Sequence, residues 1–380
     1  MPVAAQLNKE KKLIPKNLPV CLVSSAGSFL GQAICANLLA QNCKVIALEE
    51  AKNFAALEKF KNLDNFKLIE ADLVDTFPTN LSKVDYIFHL AGVAGCFITK
   101  KFALNDLLSS SIGTNFLIKK AIDDKAVFVL ASTIDVYYGA LSGVSLEYYF
   151  GVKSSNAAHY SHHEAKRYAE ALLAEYVKDY KLKGIICRVG HLYGPGMNLD
   201  GDIVGSLIKQ TLEEEKLIVE DDGLEIIYPV YIGDVSYGFI KAAFEKRSIG
   251  KIFSFVDDVG VTVKDFANIL SYLAYKLYSK ELKVTFVQSG STLKFPTHRP
   301  DLSNSKEILN WEPKVNLVVG LERTLEYFSK PNKHLETKNV EEERDKTWQL
   351  SRFLGFTKLR FWHRKRNGTK NNSEQEVDIK

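Results

Sequence analysis

At 380 residues the chain can bury one large core or two unequal ones, and 46% hydrophobic with 25% charged residues is an ordinary globular composition. A net charge of +4 spread over that length does not imply a nucleic-acid partner, and no apolar run approaches the ~18 residues of a membrane span. The first eighteen residues carry lysines without the apolar centre of a signal peptide, so a cytoplasmic protein is expected, its five cysteines (Cys21, Cys35, Cys43, Cys96, Cys187) reduced.

After the leader, residues 1–18, strand and helix alternate. Val20 to Val23 read as a short buried strand and Phe29 to Leu39 carry apolar residues at helical spacing. Further strands are expected at 44–48, 66–70, 84–90, 127–131 and 184–188. Such alternation predicts an α/β fold, a parallel sheet covered on both faces with ligands at the carboxyl ends of its strands. The turn Ser24 to Ser28 would aim bare backbone N–H groups and the positive end of a helix dipole at one point, which suits a phosphate; a turn with no ligand is the alternative.

Residues 24–31, SSAGSFLG, resemble the phosphate loop of the extended short-chain dehydrogenase/reductases, the NAD-dependent epimerase/dehydratase family. The three glycine places of that loop fall on Ser25, Ser28 and Gly31, and only the last is kept. The resemblance implies a Rossmann-type doubly wound sheet (residues 19–190), a smaller α/β substrate lobe (mainly 191–330) and a bound dinucleotide. It places Ser25, Ser28, Phe29, Leu30 and Gly31 against the pyrophosphate. Glu49, after the second strand, can accept the adenosine ribose hydroxyls and disfavour a 2′-phosphate, so NAD is preferred over NADP; a solvated Glu49–Glu50 pair is the alternative. Asp72 and Leu73 fall where the family contacts adenine, and HLAG (89–92) resembles its HLAA segment, placing Leu90 and Ala91 beneath the cofactor.

ASTIDVYYG (131–139) resembles the segment of nucleotide-sugar dehydratases and decarboxylases whose hydroxyl contacts the sugar 4-oxygen. Thr133 takes that place, and Asp135 stands where UDP-glucuronate decarboxylases carry a glutamate. A hydroxyl and a carboxylate two residues apart at a strand end can hold a sugar hydroxyl and move a proton. HHEAKRYAEALLAEY, from His162, resembles the family's active-site helix, with Lys166, Ala169 and Glu170 matching and His162 in the place of the catalytic tyrosine. Four residues on a helix put His162 and Lys166 on one face, and the Lys166 charge disfavours a protonated imidazole, so His162 is a candidate substitute base. His159, His162 and His163 also have metal-ligand spacing, but no Cys, Asp or Glu cluster completes a site, and no metal is expected.

RVGHLYGPGMN (188–198) puts His191 at the family's substrate-contacting asparagine, and in EDDGLEIIYPVYIGDV (220–235) Ile227 replaces the arginine that clamps the diphosphate. Arg299, before Pro300 and Asp301, is a phosphate candidate by resemblance, with an ion pair as the alternative; Trp311 and Pro313 are expected to pack. The resemblance therefore implies an NAD-binding protein acting on a UDP- or dTDP-linked sugar, with a catalytically inactive or regulatory relative as the alternative. It also implies a homodimer through the active-site helix and the helix from Lys101 to Ile122. In the tail, 331–380, residues 351–366 hold six Lys/Arg and four aromatic residues without an acid, which suits either a docked tail or an anionic surface.

Overall fold

The computed structural model describes residues 18–75, 77–90, 103–137, 160–288 and 299–329. Ala91, His159 and the 331–380 tail lie outside the described residues, as does Cys96.

Six strands appear where the sequence places them: β1 Val20–Ser24, β2 Lys44–Glu49, β3 Phe66–Glu70, β4 Tyr86–His89, β5 Val127–Thr133 and β6 Lys183–Val189. β1 and β5 are buried along almost their whole length, as parallel strands covered on both faces must be. The helices between them are α1 Phe29–Ala40, α2 Ala103–Leu108, α3 Thr114–Asp124 and α4 Tyr160–Tyr180, with a π-helical turn at Ser109–Gly113 joining α2 to α3.

The sheet order is β3-β2-β1-β4-β5-β6 with a seventh parallel strand, β11 Ile252–Phe255, beside β6. Strand alternation makes two cores. Cys21, Val23, Val45, Ala47 and Phe88 face one side, with Ile34 and Leu38 of α1. Leu22, Ile46, Leu48 and Phe128 face the other, with Leu117 of α3 and Leu173 of α4.

The remaining strands and α-helices are β7 His191–Tyr193, α5 Ile203–Glu213, β8 Lys216–Glu220, β9 Ile226–Ile227, β10 Pro229–Tyr231, α6 Ile232–Phe244, β12 Val261–Thr262, α7 Val263–Tyr278, β13 Lys283–Val287, α8 Ser303–Glu307 and α9 Leu317–Ser329. Asp202 caps α5, accepting from the Gly205 amide at 2.7 Å. Beyond residue 190 the chain is not one separate lobe. β8 pairs with β13 and α5 packs on α7, but β11 completes the main sheet and α6 packs against α1, where Asn37 Nδ2 donates to Ser236 Oγ at 2.7 Å. Trp311 packs as expected: it is 3% exposed, lies against Phe255 and donates its indole N–H to the Asp234 carbonyl.

Candidate active site

The sheet's carboxyl edge gathers the candidate residues, because β1, β2, β4 and β5 end at Ser24, Glu49, His89 and Thr133. After β1 the chain turns sharply, with Ser25 at φ +50°, a left-handed conformation that glycine takes more readily than serine. Ser28 caps α1, its Oγ accepting from the Gly31 amide at 3.1 Å. That cap leaves Phe29 and Leu30 at the helix start, where amides lack intrahelical acceptors. A Cβ on Gly31 would collide with the Ser25 and Ala26 carbonyls, so the one kept glycine serves close strand–helix packing.

Glu49 is 6% exposed and turned back onto this loop. Its Oε2 accepts from the Gly27 amide at 2.7 Å; its Oε1 accepts from the Glu50 amide at 3.0 Å and Asn53 Nδ2 at 2.9 Å. Ser25, Leu48, Glu49, Glu50, Ala71, Asp72, Leu73 and Ser109 line an adjacent cleft with about 320 Å³ of empty space, open solvent included. Asp72 Oδ1 holds the Val74 amide at 2.8 Å, and Leu90 is buried with its amide on Ser24 Oγ. Next to it His89 is fully buried between Ser24 Oγ (2.8 Å) and Thr114 Oγ1 (2.9 Å). Burial first and the Lys166 charge second push His89 down to about 3, so it stays neutral.

At the tip of β5, Thr133 Oγ1 donates to Asp135 Oδ2 at 2.8 Å and accepts from the Asp135 amide at 3.1 Å. Lys166 is 4% exposed and donates to the Ala131 carbonyl at 3.1 Å, which brings its ammonium to the same strand end. His162, one turn earlier on α4, is 5% exposed, and its Nδ1 is buried without a hydrogen-bond partner. Burial and, second, the Lys166 charge push it down to about 3.

The turn carrying Asp135 is held from two sides. Arg188 forms a bidentate pair with Glu170 (2.9 and 2.6 Å), donates to the Tyr137 hydroxyl at 2.6 Å and lies over its ring, while Arg167 Nε donates to the Val136 carbonyl. Ser132 Oγ also donates to Glu170. Sequence reasoning gave Glu170 and Arg188 no role. Their alignment with the active-site helix and the end of β6 was the available signal, but nothing local shows that they meet.

His191 accepts from the Tyr228 amide through Nδ1 at 3.4 Å. Asp202 and Glu225 are both raised, chiefly by burial, and both also feel Asp135. Ile227 is 2% exposed and paired across β9–β12, so the apolar side chain at the resemblance's clamp position is packing. Arg299 is largely exposed and 4.0 Å from Asp258. Thr133, Asp135 and Lys166 thus share one strand end; Arg299 stands at the surface. Among the described residues no group of three His, Cys, Asp or Glu could hold a metal, and no helix is long and apolar enough to cross a membrane.

A seven-stranded parallel sheet with a helix-capped turn after its first strand and an acid after its second defines a dinucleotide-type α/β protein. The chain belongs to the NAD dependent epimerase/dehydratase family, whose model matches residues 21–254. It is 28% identical over 317 residues to UDP-glucuronic acid decarboxylase 1 of Arabidopsis thaliana, covering 82% of this chain and 70% of that one. The fold is shared with UDP-glucuronic acid 4-epimerase from Bacillus cereus in complex with UDP-glucuronic acid and NAD, at TM-score 0.68 and 24% identity over 82% of this chain and 99% of the epimerase. It is also shared with dTDP-glucose 4,6-dehydratase from Bacillus anthracis in complex with NAD, at TM-score 0.66 and 18% identity over 82% and 97%.

Proposed function

We propose that the chain binds NAD in the cleft between the phosphate loop and the tips of β2 and β3, and acts on a UDP- or dTDP-linked sugar as its decarboxylase, epimerase and dehydratase relatives do. The residues present fit the cofactor: orphan amides at Phe29 and Leu30, a capping serine hydroxyl, and Glu49 and Asp72 lining a cleft open to solvent. Bound there, NAD supplies a hydride acceptor for a sugar carbon. Lys166 would hold the nicotinamide ribose, and Thr133, backed by Asp135, would orient the sugar hydroxyl. The observation that carries this reading is that the buried Lys166 ammonium sits on the Ala131 carbonyl, two residues along β5 from the hydroxyl of the Thr133–Asp135 couple.

A second reading, cofactor binding without turnover, is favoured by His162. An imidazole pushed down to about 3 is a far weaker base than a tyrosinate, and Ile227 provides no charge for a diphosphate. The test is to incubate the protein with NAD and a panel of UDP- and dTDP-sugars and follow reduced cofactor and altered sugar. Product that disappears in Lys166→Ala supports the enzyme. Thermal stabilisation by NAD without product, with product gained by His162→Tyr, supports the second reading. No stabilisation by millimolar NAD removes both.

A homodimer is supported by Leu104, Leu107 and Ile112, from α2 and the turn after it, and Tyr168 of α4, all exposed apolar side chains on the two helical segments the resemblance assigns to the interface. Light scattering tests it, and a monomer removes it. A cytosolic setting is supported by free buried thiols at Cys21, Cys35, Cys43 and Cys187.

A further inference from the structure

The Thr133–Asp135 couple at the tip of β5 has neighbours that the functional reading leaves unused. Thr133 stands opposite Val189 of β6, and two residues further on His191 opens β7, opposite Pro229 of β10. Helix α5 packs on β7, and Asp202 caps that helix. Glu225 arrives on the segment leading into β9, its carbonyl held by the Val263 amide. Asp202 and Glu225 are both close enough to Asp135 for its charge to act on them, so three carboxylates gather at one strand end.

The cations nearby are committed elsewhere. Arg188 is bound to Glu170 and the Tyr137 hydroxyl, and Arg167 to Glu164 and the Val136 carbonyl. Ile227 brings no charge, and Arg299 stands at the surface beside Asp258. Lys166 is the cation at the strand end, held on the Ala131 carbonyl.

His162 adds an independent mark. One turn before Lys166 on α4, it is 5% exposed, and its Nδ1 has no hydrogen-bond partner among the described residues. Its ring stays neutral. A neutral ring nitrogen is satisfied by a hydroxyl, which can donate or accept, and it brings no charge to a carboxylate.

We propose that the sugar seat beside Thr133 is built for an uncharged hexose and turns a uronate away, with Asp202 and Glu225 as the residues that set this choice. The proposal rests on the reading that Thr133 orients the sugar's 4-hydroxyl. C4 and C5 are neighbouring ring carbons, so a carboxylate on C5 would arrive beside the Thr133–Asp135 couple, in the field of all three acids and with no described guanidinium to receive it. One acid at this place is compatible with a uronate, since the resemblance sets Asp135 where UDP-glucuronate decarboxylases carry a glutamate. The two further acids change the outcome. Any product then keeps all six sugar carbons, because the carboxylate that a decarboxylase releases as carbon dioxide is the group refused here.

Calorimetric titration of the NAD-loaded full chain tests this with two matched pairs that differ only at C6, UDP-glucose against UDP-glucuronate and dTDP-glucose against dTDP-glucuronate. UDP-glucosamine is the cationic probe. In the pair whose nucleotide binds, the glucose compound is expected to be at least about tenfold tighter than the glucuronate. In Asp202→Asn combined with Glu225→Gln, where asparagine can still cap α5, the gap is expected to close to about threefold through a gain for the glucuronate alone.

Glucuronate binding as tight as glucose binding in the wild type overturns the proposal, whether or not the double variant folds. A gap left intact by a double variant of unchanged thermal midpoint overturns the assignment to Asp202 and Glu225. UDP-glucosamine tighter than UDP-glucose by about tenfold overturns it in favour of a cationic sugar. If NAD binds and none of the sugar nucleotides does, the reading of the seat as a sugar site falls, and the proposal with it.

Discussion

The hydroxyl of Thr133 and the carboxylate of Asp135 are joined at 2.8 Å, with the hydroxyl as donor, so a sugar hydroxyl approaching Thr133 meets an oxygen whose own proton is already directed to an acceptor. Asp135→Asn keeps an acceptor oxygen but cannot take up a proton. On the enzyme reading it should leave UDP-sugar binding within about threefold and lower turnover by about 10²-fold or more, the usual scale of general acid–base effects. Thr133→Val should weaken binding as well, and Thr133→Ser should restore both. Parallel binding and single-turnover assays check this, and Asp135→Asn at the wild-type rate would exclude a proton role.

Acid should destabilise the fold through His89 and His162. Both are lowered from 6.5 to about 3 by burial and then by Lys166, so between those values the unfolded chain binds protons that the folded chain does not. Stability from these groups is present above pH 6.5 and lost as pH falls towards 3, at about 1.4 kcal/mol per unit for each group while it lasts. Urea midpoints at pH 7.5, 6 and 5 should fall in order, and His162→Tyr should shallow the slope. A flat profile would mean that His162 is protonated without cost in the folded state.

The Glu170–Arg188 pair is mostly buried and bidentate, so removing one partner strands the other. Glu170→Ala should destabilise by about 3 kcal/mol, whereas replacing both by apolar residues of similar volume should recover most of it. Chemical denaturation of the two single variants and the double variant tests the asymmetry.

Gly31→Ala should be the most damaging small change in the loop. The added methyl collides with backbone rather than with a side chain that could swing away, which puts the cost at about 3 kcal/mol. Thermal unfolding with and without NAD should show a lower midpoint and no stabilisation by the cofactor.

Most of the scaffold was legible because parallel strands covered on both faces read as continuous apolar runs, of which residues 20–24 and 127–133 are clear cases. Other features had no such address. A four-residue run such as Ile252–Phe255 does not say which sheet it joins, and its place beside β6 depends on a crossover more than sixty residues long. The orientation of Glu49 towards Gly27 depends on a loop shape set by two different strand ends. The i,i+4 spacing put His162 on a face with Lys166, but only the packing shows how far burial weakens it as a base.

The seventh strand bears on how this molecule can be divided. Phe253 and Phe255 of β11 are fully buried in the same core as Val23 and Ile34, and Phe239 of α6 lies with them. A fragment ending near 190 would bare the outer edge of β6, invite pairing with other chains there and lose the aromatic layer that closes one face. The segments before and after residue 190 therefore cannot be swapped between relatives at that seam; a viable chimaera has to carry 232–255 with the first segment.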